Sequence, residues 1–245
     1  MTPIIISSLA IIIFSALIHA SFQLSVSVLT LLSGHSLGRK SSQTRVLKLT
    51  NGFLFGVLVI TGLILTAIVY YMSITINQTN SSEQLGATII CGALISLGIA
   101  TLVFYYQHNK TGTALWLPRS MAEYLTKRAS ATKHTAEAFS LGVTSVLAEI
   151  LFIIAPMAAA SLAIITLPDT TWQIIGIALY TLLSMLSLVI VATLVGGGHS
   201  PAKLQKWREQ NKKFLQFSAG AGLLVLALFL FADRVVGVVS YGGLW

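Results

Sequence analysis

Six apolar stretches, near 3–32, 52–78, 86–107, 136–167, 172–196 and 213–236, dominate this chain of 245 residues. Each supplies the roughly 20 helical residues needed to cross a hydrocarbon core about 30 Å thick. A segment in lipid has to satisfy its own backbone, which helices and closed barrels alone achieve, and the period-two alternation of barrel strands is absent. The expected fold is an all-α membrane protein, with residues 1–245 forming one transmembrane domain of six transmembrane helices. The charge content agrees: 9% of residues are charged, against about a quarter in soluble domains. Mean hydropathy is +0.85. The first stretch lacks the basic leader of a signal peptide and outruns the usual apolar core of one, so it reads as a retained first helix.

The connections divide by charge. Arg39, Lys40, Arg45 and Lys48 lie in the first, Lys110, Arg119, Lys127, Arg128 and Lys133 in the third, and Lys203, Lys206, Arg208, Lys212 and Lys213 in or just after the fifth. The second and fourth hold neither Lys nor Arg, and Arg234 is the only basic residue outside the alternate set. By the positive-inside rule the three basic connections are cytoplasmic, giving an N-out, C-out topology, and a bacterial cytoplasmic membrane is the expected location. The net charge of +8 is thereby a topology signal, spread over three loops, and nucleic acid is not expected as a partner. Within the third connection, 117–130 places Leu117, Met121, Tyr124 and Leu125 at helical spacing among basic residues. That pattern predicts a short cytoplasmic interfacial helix lying against membrane lipids.

Two kinds of repeat emerge. A gapless offset of 164 residues aligns Gly34-His-Ser with Gly198-His-Ser, Phe53 with Phe217 and Gly56 with Gly220. Separately, the two longest spans, the first and fourth, run in opposite directions. That fits a 3+3 inverted repeat, a plan in which transporters place their site near the midplane.

Deep ionisable residues are few. Counted from the outer span ends at 1.5 Å per residue, His19 in the first span lies about 24 Å deep and Glu149 in the fourth about 27 Å. A charge at that depth costs at least about 2.5–3.5 kcal/mol, so such residues are expected to face the bundle interior, each with a partner. The two are expected to meet as the core of a pathway for a small solute or ion. His19, Gln23 and Ser27 recur every fourth residue, as do Ser140 with Thr144 and Ser145 with Glu149, so Gln23, Ser27, Thr144 and Ser145 join the expected pathway. Pro156 is expected to bend the fourth span and free a carbonyl beside it. Gly34, Gly38, Gly196, Gly197 and Gly198 are expected as helix ends, turns or hinges. No cofactor is expected: the lone Cys91 forms no dithiol, one deep histidine cannot ligate haem twice, and no metal ligand set can be named.

The segments 136–156, 178–194 and 203–230, and more loosely 45–62 and 85–100, resemble the DsbD/CcdA-type transmembrane domain of the lysine exporter superfamily. The resemblance implies six helices in a 3+3 inverted arrangement, and either export of a small solute or transfer of thiol reducing equivalents in redox or cytochrome c biogenesis. The redox branch needs cysteines in the first and fourth spans. Here those spans offer His19 and Ser21, and Glu149 and Pro156, and thiol exchange requires a cycling dithiol. A transporter, not an enzyme, is therefore expected. The alternative is a non-catalytic assembly subunit whose basic loops dock a protein partner.

Overall fold

The computed structural model describes residues 3–22, 24–37, 43–76, 82–104, 119–197 and 200–237. These form α1 (Pro3–Ser21), α2 (Leu24–Leu37), α3 (Gln43–Ile76), α4 (Ser82–Phe104), α5 (Arg119–Ala131), α6 (Thr135–Ile165), α7 (Thr170–Ser184), α8 (Leu186–Gly196), α9 (Pro201–Gln210) and α10 (Lys212–Leu230). A π-helical turn, Phe231–Val236, prolongs α10. No strand occurs among the described residues. Among the described residues five helices, α1, α3, α4, α6 and α10 with its π turn, are long and apolar enough to cross a membrane, and α7 with α8, bent by 46° at their joint, brings the number to six when the pair is counted as one span.

The exterior is apolar and the interior carries hydroxyls. Ile89 and Leu151 are each 71% exposed, whereas Ser8, Ser15, Thr61, Ser145 and Ser161 are fully buried. Water penalises so much contiguous apolar surface, while lipid does not. The protein is a multi-pass integral membrane protein.

Two expected spans are not single straight helices. The first, read as one helix over 3–32, ends as α1 at Ser21 and resumes as α2 at Leu24. At the joint the Phe22 N–H turns back to the His19 carbonyl at 3.1 Å, and the Ser21 hydroxyl takes the Ile18 carbonyl at 2.6 Å. The Ala20 carbonyl accepts instead from the Ser187 hydroxyl of α8. Helix-end acceptors are satisfied by side chains from elsewhere. Just before the bend between α7 and α8, hydroxyls back-bond to their own helix, Thr181 to the Ile177 carbonyl and Ser184 to that of Thr181, bonds of a kind that often accompanies bending. Pro156, the expected bending point, lies buried within α6, which is not interrupted there.

Glycines set the closest crossings. A Cβ on Gly56 of α3 would run into the Phe139 carbonyl of α6, and one on Gly142 of α6 into the Phe53 carbonyl of α3. On α4 and α10, a Cβ at Gly98 would lie 3.2 Å from the Gly220 carbonyl, and one at Gly220 3.1 Å from that of Gly98. Small residues let helix backbones approach where no hydrophobic force drives them together. The packing pattern repeats when α1 is exchanged with α6, α3 with α7 and α4 with α10. The pairing of α1 with α7 then matches α6 with α3, and α1 with α10 matches α6 with α4. The 164-residue offset holds less well: Phe53 is fully buried, its counterpart Phe217 63% exposed.

Of the expected turn glycines, Gly34 lies inside α2, not at its end. Gly196 closes α8 and Gly197 caps it with φ −79°, a conformation open to any residue. Gly38 and Gly198 lie outside the described residues. The expected interfacial segment is helical as α5, which packs on α2 and α6 through buried Leu125 and Ala129.

Candidate functional site

The joint between α1 and α2 places His19 at the end of one helix and Ser25 in the first turn of the next. Ser25 is bonded to the middle of α6, and His19 lines a cavity with it. The Ser25 hydroxyl donates to Glu149 Oε2 at 2.7 Å and lies 3.2 Å from Ser145 Oγ, whose own proton goes to the Gly142 carbonyl at 2.8 Å. The carboxylate therefore stands against the first turn of α2, where the helix dipole favours negative charge. His19 Nδ1 and the Tyr180 hydroxyl of α7 share a hydrogen bond of 3.1 Å.

His19, Ser25 and Glu149 line one small cavity with Thr61 of α3, Ser184 of α7 and Ser187 of α8. Its volume is about 10 Å³, close to the least that holds a water. Of the buried hydroxyls that make no hydrogen bond among the described residues, Ser15, Ser33, Thr61, Thr101 and Ser161, only Thr61 lines it. A buried hydroxyl without a partner costs about 1–3 kcal/mol, an incentive to take one up.

Buried polar groups continue towards both ends of the bundle. On one side Arg208 of α9, 4% exposed, donates from Nη2 to Ser27 Oγ of α2 at 3.0 Å. At the other, Arg234 of the π turn donates from Nη2 to Ser8 Oγ of α1 at 2.8 Å. Ser8 lies 3.1 Å from Thr166 Oγ1, which spends its proton on the Ala163 carbonyl, so Ser8 is the donor. Arg234 also pairs with Asp233 at 2.8 Å and Glu83 at 3.5 Å. The sequence of contacts along α1 and α2 is thus Arg234 at Ser8, Tyr180 at His19, Glu149 at Ser25 and Arg208 at Ser27.

Of the residues of the expected pathway, His19 and Glu149 line the same cavity, His19 being bonded to Tyr180; Ser145 lies against Ser25 and Ser27 against Arg208. Gln23 lies outside the described residues. Thr144 is corrected: it lines a separate cleft with Tyr124 and Arg128 and bonds back to the Ser140 carbonyl at 2.8 Å. Pro156 is likewise not among the cavity's lining residues. The one-face stripe of His19, Gln23 and Ser27 is also corrected, because the α1–α2 joint falls inside it. Residues that the sequence did not single out are Ser25, Thr61, Tyr180, Ser184, Ser187 and Arg208. Tyr180, Ser184 and Ser187 follow helical spacing in the fifth span, a signal present in the sequence; Arg208 was hidden among basic loop residues.

Cys91 is buried at the crossing of α4 and α10, its thiol 3.5 Å from the Ala227 carbonyl, and is not among the cavity's lining residues. Among the described residues no group of three or more His, Cys, Asp or Glu is placed to hold a metal ion.

Compared with models of known families, with curated proteins and with solved structures, the chain matches none. What the fold defines is a class: an all-α, multi-pass membrane protein with a buried carboxylate beside a broken span.

Proposed function

We propose that the protein is a transporter or exporter of a small solute or ion, with its central site between α1, α2 and α6. The observation that carries this is the Ser25–Glu149 hydrogen bond at the joint of the first span, in a cavity shared with His19. Interrupted helices flanking a polar site are how transporters expose backbone and charge to a substrate without exposing them to lipid. Three further observations support it. The packing repeats under exchange of the two halves, as in inverted-repeat carriers that rock one half against the other. Polar contacts extend from Arg234 to Arg208 along α1 and α2. The cavity is small, of a size to hold an ion or a water. Membership of the lysine exporter superfamily, from the sequence resemblance, and location in a bacterial cytoplasmic membrane are part of the proposal.

Proton uptake into proteoliposomes, reported by an enclosed pH dye under an imposed potential, tests this. Glu149→Gln is expected to abolish uptake while the variant retains the helical content and monodispersity of the unmutated protein. Uptake at an undiminished rate removes Glu149 from the mechanism.

A further inference from the structure

A second cleft, about 280 Å³ in volume, opens between α5 and the start of α6 and is lined by Tyr124, Arg128, Thr132, Glu137, Ser140 and Thr144 with two apolar residues. It is separate from the central cavity. One side presents a cation. Arg128 Nε donates to the Tyr124 hydroxyl at 3.4 Å, with the guanidinium carbon 5.8 Å from the ring centroid, so the group is steadied at Nε and its terminal nitrogens are left for an acceptor. The other side presents an anion. Glu137 Oε2 accepts the backbone N–H groups of Lys133 at 2.7 Å and His134 at 3.2 Å, which pins the carboxylate at the start of α6.

We infer that this cleft holds the headgroup of an ethanolamine phospholipid, its phosphate on Arg128 and its ammonium on Glu137. A guanidinium is suited to phosphate by its forked donors, and a carboxylate accepts the N–H donors of a primary ammonium. A choline headgroup has no such donors, and a glycerol headgroup brings no positive charge to Glu137. The cleft is also at the right level. With 31 residues α6 is about 46 Å long, against a hydrocarbon core of about 30 Å, so its first turns rise into the headgroup layer. Further along the helix, Leu147, Leu151 and Ile154 are exposed at 47%, 71% and 41%. They follow Thr144 at steps of three and four, continuing one face of α6 as an apolar track for an acyl chain. Exposed Lys127 and Lys133 beside the cleft attract any phosphate headgroup; Glu137 is the group that selects ethanolamine. The inference is independent of whether the central cavity transports anything.

The test uses the full chain in detergent micelles, supplied with equimolar phosphatidylethanolamine, its mono- and dimethyl derivatives, phosphatidylcholine and phosphatidylglycerol of identical acyl chains. Native mass spectrometry counts the retained lipid. Phosphatidylethanolamine is expected to be retained about tenfold over phosphatidylcholine, equivalent to 1.4 kcal/mol, with retention falling at each methylation. Arg128→Ala is expected to lower retention of every phospholipid, and Glu137→Gln to abolish the preference for ethanolamine over choline while keeping phosphate-dependent retention. Since Glu137 also secures the start of α6, the methylation series on the unmutated protein decides the matter should that variant not fold. Equal retention of phosphatidylethanolamine and phosphatidylcholine, preference for phosphatidylglycerol, or wild-type retention by Arg128→Ala overturns the assignment.

Discussion

The hydroxyl of Ser25, in the first turn of α2, donates to the carboxylate of Glu149 at 2.7 Å and so ties the piece of the first span beyond its joint to the middle of the fourth. Neither residue is exposed to lipid, at 5% and 3% of full accessibility. In such low-dielectric surroundings a hydrogen bond is electrostatically stronger than its counterpart in water.

Removing that donor should loosen the joint. Ser25→Ala is expected to cost about 1–3 kcal/mol, while Ser25→Thr, which keeps the hydroxyl, should cost less. For a chain of this size each kcal/mol lowers the midpoint of thermal unfolding by about 2–4 °C. Unfolding followed in detergent checks this. An unchanged midpoint for Ser25→Ala would show that the bond does not secure α2.

His19 and Tyr180 join α1 to α7 by one hydrogen bond and a tilted ring contact with centroids 5.8 Å apart. Tyr180→Phe keeps the ring and removes the hydroxyl, with an expected loss of about 1 kcal/mol. Adding His19→Leu should then cost less than the same change in the unmutated protein, giving a coupling of about 0.5–3 kcal/mol in a double-mutant cycle. Additive losses would mean that the two side chains act separately.

The α3–α6 crossing should be intolerant of any side chain at Gly142, where a Cβ meets the Phe53 carbonyl. Gly142→Val is expected to destabilise by about 1–3 kcal/mol or more, through overpacking against backbone that cannot yield. Gly92 is the contrast, since a Cβ there has no heavy atom within 4 Å. Gly92→Ala in the interior of α4 should be neutral or gain up to about 1 kcal/mol. Expression yield and thermal midpoint of the two variants should diverge in that order.

Topology can be checked by thiol labelling, because the native Cys91 is buried. In intact cells, a membrane-impermeant maleimide should label Pro168→Cys, in the connection before α7, and should not label Ser130→Cys on α5 until the membrane is opened. The reverse pattern would invert the orientation drawn from the basic loops.

The joint between Ser21 and Leu24 shows why much of the site was not legible in advance. The repeating His19, Gln23 and Ser27 implied one helix, since a spacing of four is a helical period and no proline or glycine intervenes. Where α1 ends, the Ser21 hydroxyl bonds back within it and the Ser187 hydroxyl of α8 takes up the Ala20 carbonyl, a partner that exists only once the bundle has packed. Tyr180 illustrates the same point. It was not singled out in the sequence, and only the approach of α7 to α1 gave its hydroxyl a partner. Arg208 went unnoticed because charge in a short loop is read as topology, whereas here the short α9 leans a guanidinium into the bundle.

By itself the sequence determined that the chain lives in lipid as a set of helices, and that His19 and Glu149 lie deep within them. Both follow from transfer energy, which is local and additive along the chain: each apolar residue favours the membrane and each charge opposes it. Which faces meet was decided by tertiary structure, as were the place where a span breaks and the residues that surround the carboxylate. Those outcomes depend on backbone approach at Gly56, Gly142, Gly98 and Gly220 and on hydroxyls choosing between their own helix and a neighbour, choices settled only when the helices have come together.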